Sequence, residues 1–433
     1  MLANDTITRD NRFLFYVAAL AINSDFIWTL LFGSSYGVLS PNWLLLPPIF
    51  LYVVVSGRAK FDRFVFNNVL IILVLGISFL SQMVYDLRHG PDLLSGEFGG
   101  ASRQIFTSVV AYFIFFELVS SARDLKNYLD ALAFSTAFNG FLLLCVAAGL
   151  LGPEIKRAWV GMARVYRFGL GDPNITFLYV ALGAVYWLVL TGLPRGKRRG
   201  RFILAGLGLL GAGSPIVLGL SRGAFVAAAG SIGLGLILIF WTVSAKTSIK
   251  LVVIGGFAVG MAGILFVPSR RVDLFIARWT HFEANRASDS GSIRFASARW
   301  MITDLMTSPN WYGKGYSDFM RNTGITKFSH FSYTDMYIYG GAVPAVLFVI
   351  FIGKHLVIGT RRIRREPQLM ARVYQITLIA YTFALLLMMA SLSVLWAKVI
   401  WAALAVLAKC NTITRQEEHA LQEWAATSND QVY

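Results

Sequence analysis

The sequence predicts an all-α polytopic membrane protein with about twelve transmembrane helices and one long external loop between spans nine and ten. Three observations predict it. Of 433 residues, 56% are hydrophobic and only 14% charged, with a mean hydropathy of +0.61, whereas a soluble globular chain carries about a quarter charged residues. Apolar runs recur along the chain at roughly 17–25 residues each, the length that crosses a hydrocarbon core of about 30 Å. Between Phe266 and the return to an apolar run after His330, the chain makes one long basic and aromatic excursion. Long excursions from a packed scaffold usually carry function.

In order, the expected spans are Phe13–Phe32, Pro41–Val55, Phe64–Val84, Ile105–Ser121, Tyr128–Leu151 and Ile175–Leu193, followed by Phe202–Leu220, Ala224–Val243, Ile249–Val267, Tyr337–Ile358, Tyr374–Ala390 and Val394–Leu407. The first run holds Asn23, Ser24 and Asp25 and lacks a small-residue cleavage site, so it is expected to be a retained span and not a signal peptide. The last two runs are nearly continuous, with Ser391 and Ser393 marking the turn between them. Residues 1–433 thus form a single polytopic unit with two notable external loops, 152–174 and 268–336. The tail from Thr412 to Tyr433, with Glu417, Glu418 and Glu423, reads as a short cytoplasmic helix.

Short-loop charges set the orientation. Arg58, Lys60 and Arg63 follow span two, and Arg123 and Lys126 follow span four. Arg195, Lys197, Arg198, Arg199 and Arg201 follow span six, and Lys246 and Lys250 follow span eight. Lys354, Arg361, Arg362, Arg364, Arg365 and Arg372 follow span ten. These loops are expected to be cytoplasmic, which places both termini inside. The formal net charge of +16 is therefore read as loop charge plus an external basic site, with no nucleic-acid partner. Cys145 and Cys410 lie near opposite ends of the chain and show neither disulfide nor metal spacing.

Two external loops break the charge rule. Loop 152–174 holds Lys156, Arg157, Arg164 and Arg167. Loop 268–336 holds Arg270, Arg271, Arg278, Arg286, Arg294, Arg299, Lys314, Arg321 and Lys327. Cations gathered outside fit an anionic ligand. Arg222, in the tight turn Gly219-Leu220-Ser221-Arg222-Gly223-Ala224, is either an interfacial arginine reaching for headgroups or a further contact for that ligand. Asp25, Glu117 and Lys398 are ionisable groups inside expected spans, where charges face protein or water.

Within the long loop, residues 293–306 read as a helix that ends before Ser308-Pro309. Arg294 and Arg299, five residues apart, then point about 140° away from each other, and Arg294 is favoured as the ligand contact. Gly313-Lys314-Gly315 is either a phosphate-facing turn or a plain one. His330 precedes the return into the membrane beside Ser329, Ser332 and Tyr333. A neutral imidazole there suits a general base acting on a sugar hydroxyl; an interfacial hydrogen-bonded histidine is the alternative.

Ser221-Arg222-Gly223, then Arg294, Pro309, Gly313-x-Gly315, His330 and Gly340-Gly341 together resemble the O-antigen ligase and O-antigen or exopolysaccharide polymerase superfamily. The earlier stretch Arg164-Val-Tyr-Arg167-Phe-Gly169-Leu-Gly171-Asp172-Pro173-Asn174 resembles that family's Arg-to-Gly-to-Pro-Asn pattern, with either Arg164 or Arg167 in the arginine's place. Phe331 follows the histidine where the family often has Asn. The resemblance implies a glycosyltransferase-C-like fold in the bacterial inner membrane and an inverting, metal-independent glycosyl transfer at the periplasmic face, with no cofactor. Its donor would be an undecaprenyl-pyrophosphate-linked glycan, and its acceptor another lipid-linked glycan (a polymerase) or lipid A core (a ligase). A chain-length regulator is a further implied partner. Arg222, Arg294 and one of Arg164 or Arg167 would hold the pyrophosphate, with Arg299 less favoured, and His330 would be the base. A flippase for lipid-linked sugars is the reading from another class, though no repeat symmetry or broken midplane helix favours it.

Overall fold

The computed structural model describes residues 12–23, 41–57, 59–89, 100–147, 159–160, 163–164, 185–189, 206–211, 222–266, 273, 276, 290–313, 315–324, 331–366, 369–390 and 398–412. The first half contributes α1 (Arg12–Asn23), α2 (Pro41–Val55), α3 (Phe61–His89), α4 (Gly100–Leu118) and α5 (Ala122–Ala147). A two-residue antiparallel ladder, β1 (Trp159–Val160) with β2 (Ala163–Arg164), follows. Then come α6 (Arg222–Thr242), α7 (Ala245–Phe266), α8 (Ser290–Thr307), α9 (Gly315–Thr323), α10 (Ser332–Gly340), α11 (Ala342–Arg365), α12 (Leu369–Met389) and α13 (Lys398–Thr412).

Among the described residues, four segments are long and apolar enough to cross a membrane: Phe61–Tyr85, Phe225–Thr242, Ala342–Arg365 and Leu369–Met389. By length and composition this is a multi-pass membrane protein. α12 is the central helix, with 78% of its apolar window buried. Small residues on α6 let it approach α12 closely, as in other helix pairs that lack a hydrophobic drive to associate. A Cβ on Gly235 would sit 3.6 Å from Ala380, and one on Gly230 would meet the Leu387 side chain at 2.6 Å. Between them the Ser231 hydroxyl donates to the Ala380 carbonyl at 2.7 Å.

Local rules explain two interruptions. In α3, Asn68 leaves helical geometry (φ −119°, ψ 18°), because its amide donates to the Phe64 carbonyl at 2.8 Å while its oxygen accepts the Tyr112 hydroxyl at 2.6 Å. A side chain inserted into the helical ladder is a recognised cause of a kink. Between α4 and α5, Ser121 and Asp124 form a reciprocal N-terminal cap. The Asp124 N–H donates to the Ser121 hydroxyl at 3.2 Å, and the Asp124 carboxylate accepts from the Ser121 hydroxyl at 3.0 Å.

Among the described residues, the ends of α6, α11 and α13, with their neighbouring arginine and lysine side chains, meet at one end of the bundle. The Arg372 guanidinium donates to the Glu366 carbonyl, from Nε at 3.0 Å, and to the Thr242 carbonyl. It thus joins the C-terminal ends of α11 and α6, where a cation suits the helix dipole. Arg362 donates to the Cys410 carbonyl of α13, and Lys409 stands 4.5 Å over the Phe116 ring. Glu117 is the penultimate residue of α4 and faces Lys409 and Lys60 at this end. Lys398 opens α13, and Asp25 lies outside the described residues.

At the other end, the span expected to start at Tyr337 begins at Ala342. Gly341, with φ +84°, breaks the chain there, and residues 337–340 belong to the separate short helix α10. Left-handed backbone of this kind is open to glycine and costly for other residues.

Candidate functional site

The segment from α8 to the start of α11 folds back on itself into a glycine-lined seam. α8 ends at Thr307, just before Pro309, and Asn310 follows it into the protein interior. The Asn310 carbonyl accepts the Ala342 N–H at 2.7 Å, and its own N–H donates to the Tyr337 hydroxyl at 3.0 Å. Tyr337 in turn donates to the Asp304 carboxylate. One phenol therefore ties α8, the turn after it and α10 together. Burial and the adjacent Asp304 carboxylate hold the Tyr337 hydroxyl well above its ordinary pKa, so it remains a neutral donor at any physiological pH. Its ring packs edge-on to Trp300 (centroids 5.8 Å apart), and Trp300 packs on Phe319 of α9 at 5.1 Å.

The motif glycines line this seam. A Cβ on Gly313 would run into the Tyr339 carbonyl, and one on Gly341 would meet the Tyr312 backbone nitrogen at 2.5 Å. Gly340 packs against Ser78 of α3, where a Cβ would lie 2.5 Å from the hydroxyl oxygen. Gly315, with φ +73°, leaves no room beside the Tyr85 ring, 2.5 Å from a built Cβ. Gly313 and Gly315 are thus each packed against neighbouring groups, and Lys314 between them lies outside the described residues.

Helical periodicity separates the two loop arginines. On α8, Arg294, Ser297, Met301 and Asp304 recur at spacings of three and four, the spacing of one helix face. Ser297 on that face is fully buried. Arg294 is half-buried with its Nε shielded from solvent, while Arg299 is exposed. Arg294 thus belongs to the face that carries Asp304 to Tyr337, and Arg299 to the face turned outward.

Arg222 is the first residue of α6. Because α6 runs antiparallel to α12, with Thr242 tied to Arg372 and Gly230 beside Leu387, Arg222 stands at the end of the bundle away from the basic turns. The same end receives the start of α10, where the Tyr333 hydroxyl donates to the Leu386 carbonyl at 3.4 Å. Burial raises that phenol to about 12. His330 lies outside the described residues, one position before Phe331, whose ring is 5.4 Å from that of Tyr333. Arg164 closes β2 opposite Trp159, and Arg167 lies outside the described residues.

Asp304 and Tyr337 escaped the sequence reading. The available signal was Arg294, Ser297 and Asp304 on one side of α8, which gives the helix a face with polar groups that need partners. Asp335 is also buried, at 3% exposure, one turn from Phe331 and bonded through its N–H to the Phe331 carbonyl at 3.1 Å. Among the described residues, no three His, Cys, Asp or Glu side chains stand together as a metal-holding group. Comparisons with family models, curated proteins and solved structures found no match.

Proposed function

We propose that this chain is an inner-membrane glycosyltransferase that moves a glycan from undecaprenyl pyrophosphate to an acceptor hydroxyl at the periplasmic face, as an O-antigen or exopolysaccharide polymerase. One observation carries the reading. The Arg222 end of α6, the Arg294 face of α8, the glycine seam and the start of α10 after His330 share the end of the bundle opposite the basic turns. That is the arrangement in which a translocated loop sits over the mouth of a helical bundle and cytoplasmic charges sit at its other end.

In the proposed reaction, the acceptor oxygen attacks the anomeric carbon as the bond from that carbon to the pyrophosphate oxygen breaks, which inverts the centre. The hydroxyl proton passes to the His330 imidazole, and the electron pair of the broken bond leaves with undecaprenyl pyrophosphate. Negative charge therefore grows on the leaving group, and guanidinium groups fixed beside it stabilise the transition state more than the ground state. Arg294, Arg222 and one of Arg164 or Arg167 take that role. The seam holds Arg294 by fixing α8 to α10.

Purified protein supplied with a synthetic undecaprenyl-pyrophosphate glycan is expected to release undecaprenyl pyrophosphate together with lengthened glycan. His330→Ala is expected to abolish both. Intact lipid linkage after incubation with unaltered protein would point to a carrier. In a deletion strain, single repeat units on lipid A core mark a polymerase, whereas full-length chains left on undecaprenyl pyrophosphate mark a ligase.

A further inference from the structure

At the basic end, a surface cavity of about 450 Å³ is lined by Trp241, Thr242 and Arg364. It belongs to none of the proposed transfer chemistry, which sits at the other end. Its walls are the last turns of α6 and α11, held in place because Arg372 bonds both the Thr242 and Glu366 carbonyls. Arg361, Arg364 and Arg365 are all exposed and, at spacings of three and four, share one face of α11. Arg362 on the same helix instead turns inward to the Cys410 carbonyl. Trp241 is 66% exposed at the rim, an aromatic at the level where apolar and polar surroundings meet.

Below the cavity, α6 and α11 each expose large apolar side chains. On α6, Ile237, Phe240 and Trp241 are exposed at spacings of three and four. On α11, the exposed Val346, Ile350 and Val357, with the exposed Lys354 among them, form a stripe that continues in register into Arg361 and Arg364. A soluble phosphate would use only the cations and leave these stripes idle. An anionic lipid uses both, with its phosphodiester against the guanidinium groups and its acyl chains along the stripes.

We infer that the α6–α11 cavity binds the phosphodiester headgroup of an anionic phospholipid from the cytoplasmic leaflet, with Arg364 and Arg361 as its cations and Trp241 as its rim. Occupancy ties the two helices together at the end opposite the glycine seam.

The test uses the full-length protein in mild detergent with phosphatidylglycerol or phosphatidylcholine added, and counts retained lipid by native mass spectrometry. Phosphatidylglycerol should be retained preferentially. Arg364→Gln should weaken that retention about five-fold, the scale of one cation at an anionic surface, and adding Arg361→Gln should weaken it further. Lys250→Gln, which removes an exposed cation from α7, should leave it unchanged. Equal retention by Arg364→Gln and unaltered protein, or equal retention of the two lipids, would overturn the inference. So would displacement of phosphatidylglycerol by millimolar inorganic phosphate, which would assign the cavity to a free anion. None of these readouts depends on glycosyl transfer.

Discussion

The two ends of the bundle are built on opposite principles. At the basic end, long cationic side chains reach across gaps to helix carbonyls and to a ring: Arg372 to Thr242 and Glu366, Arg362 to Cys410, Lys409 over Phe116. Such ties tolerate small shifts, because a flexible stem can follow its acceptor. At the other end, backbone meets backbone without intervening side chains, at Gly313 on Tyr339 and Gly341 on Tyr312. Contacts of that kind have one fitting arrangement. Under the proposed function, the second construction would hold the half-buried Arg294 in place beside the leaving group, whereas the first is enough where cationic side chains only tie helix ends together.

The sharpest way to break this comparison is to remove one arginine from each region. Arg294→Ala should lower the rate of undecaprenyl pyrophosphate release about 10²–10³-fold, the scale of losing one fixed donor to developing negative charge. Arg299→Ala, on the exposed face of α8, and Arg361→Ala, at the basic end, should stay near the unaltered rate. Comparable losses in all three would mean that general positive charge, not placement, governs turnover.

Glycine substitutions test the packing side. Gly313→Ala and Gly341→Ala each put a methyl group into backbone, and overpacking of that kind costs about 1–3 kcal/mol, with added strain at Gly341 from its φ of +84°. Gly233→Ala and Gly256→Ala, where a Cβ meets nothing within 4 Å, should be neutral or slightly stabilising in thermal unfolding of the detergent-solubilised protein. If Gly313→Ala melts like Gly233→Ala, the seam is looser than described.

What the sequence made legible follows from the range of each interaction. The apolar segments of α3, α6, α11 and α12 were readable because bilayer thickness fixes length and composition locally. The split between Arg294 and Arg299 was readable once residues 293–306 were taken as a helix, since 3.6 residues per turn decides faces. The end of α10 was not: residues 337–353 carry no charged side chain, and only the contact of Gly341 with Trp311 and Tyr312 shows why the chain breaks there. Gly313 and Gly315 read as a turn because their packing partners, Tyr339 and Tyr85, are distant in sequence. The Asn68 kink and the Tyr337–Asp304 tie are hidden for the same reason.

Tyr337→Phe gives a smaller effect that probes coupling within the seam. It keeps the ring against Trp300 but removes the hydroxyl that accepts from Asn310 and donates to Asp304. Leaving a buried partner unsatisfied costs about 1–3 kcal/mol. The expected signature is a lower melting temperature together with slower turnover, because α8 and hence Arg294 lose a tie to α10. A double substitution, Tyr337→Phe with Asp304→Asn, should lose less than the sum of the two single changes, since the groups share one bond.

The smallest predicted effect belongs to the basic end. Asp124 accepts from the Ser120 N–H at 3.0 Å and from the Ser120 hydroxyl at 2.7 Å, in addition to its exchange with Ser121. Asp124→Ala removes the carboxylate half of the α5 cap, which should cost about 1 kcal/mol. The Ser121 hydroxyl can still accept the N–H of residue 124, so the helix keeps part of its cap. Asp124→Asn should fall between, because an amide oxygen accepts without the negative charge that favours a helix N-terminus. Turnover should not change in either variant, because the cap and the seam are tied to opposite ends of the bundle. A turnover defect in Asp124→Ala at matched folded fraction would mean that the two ends are mechanically coupled, and the division of labour drawn between them would have to be abandoned.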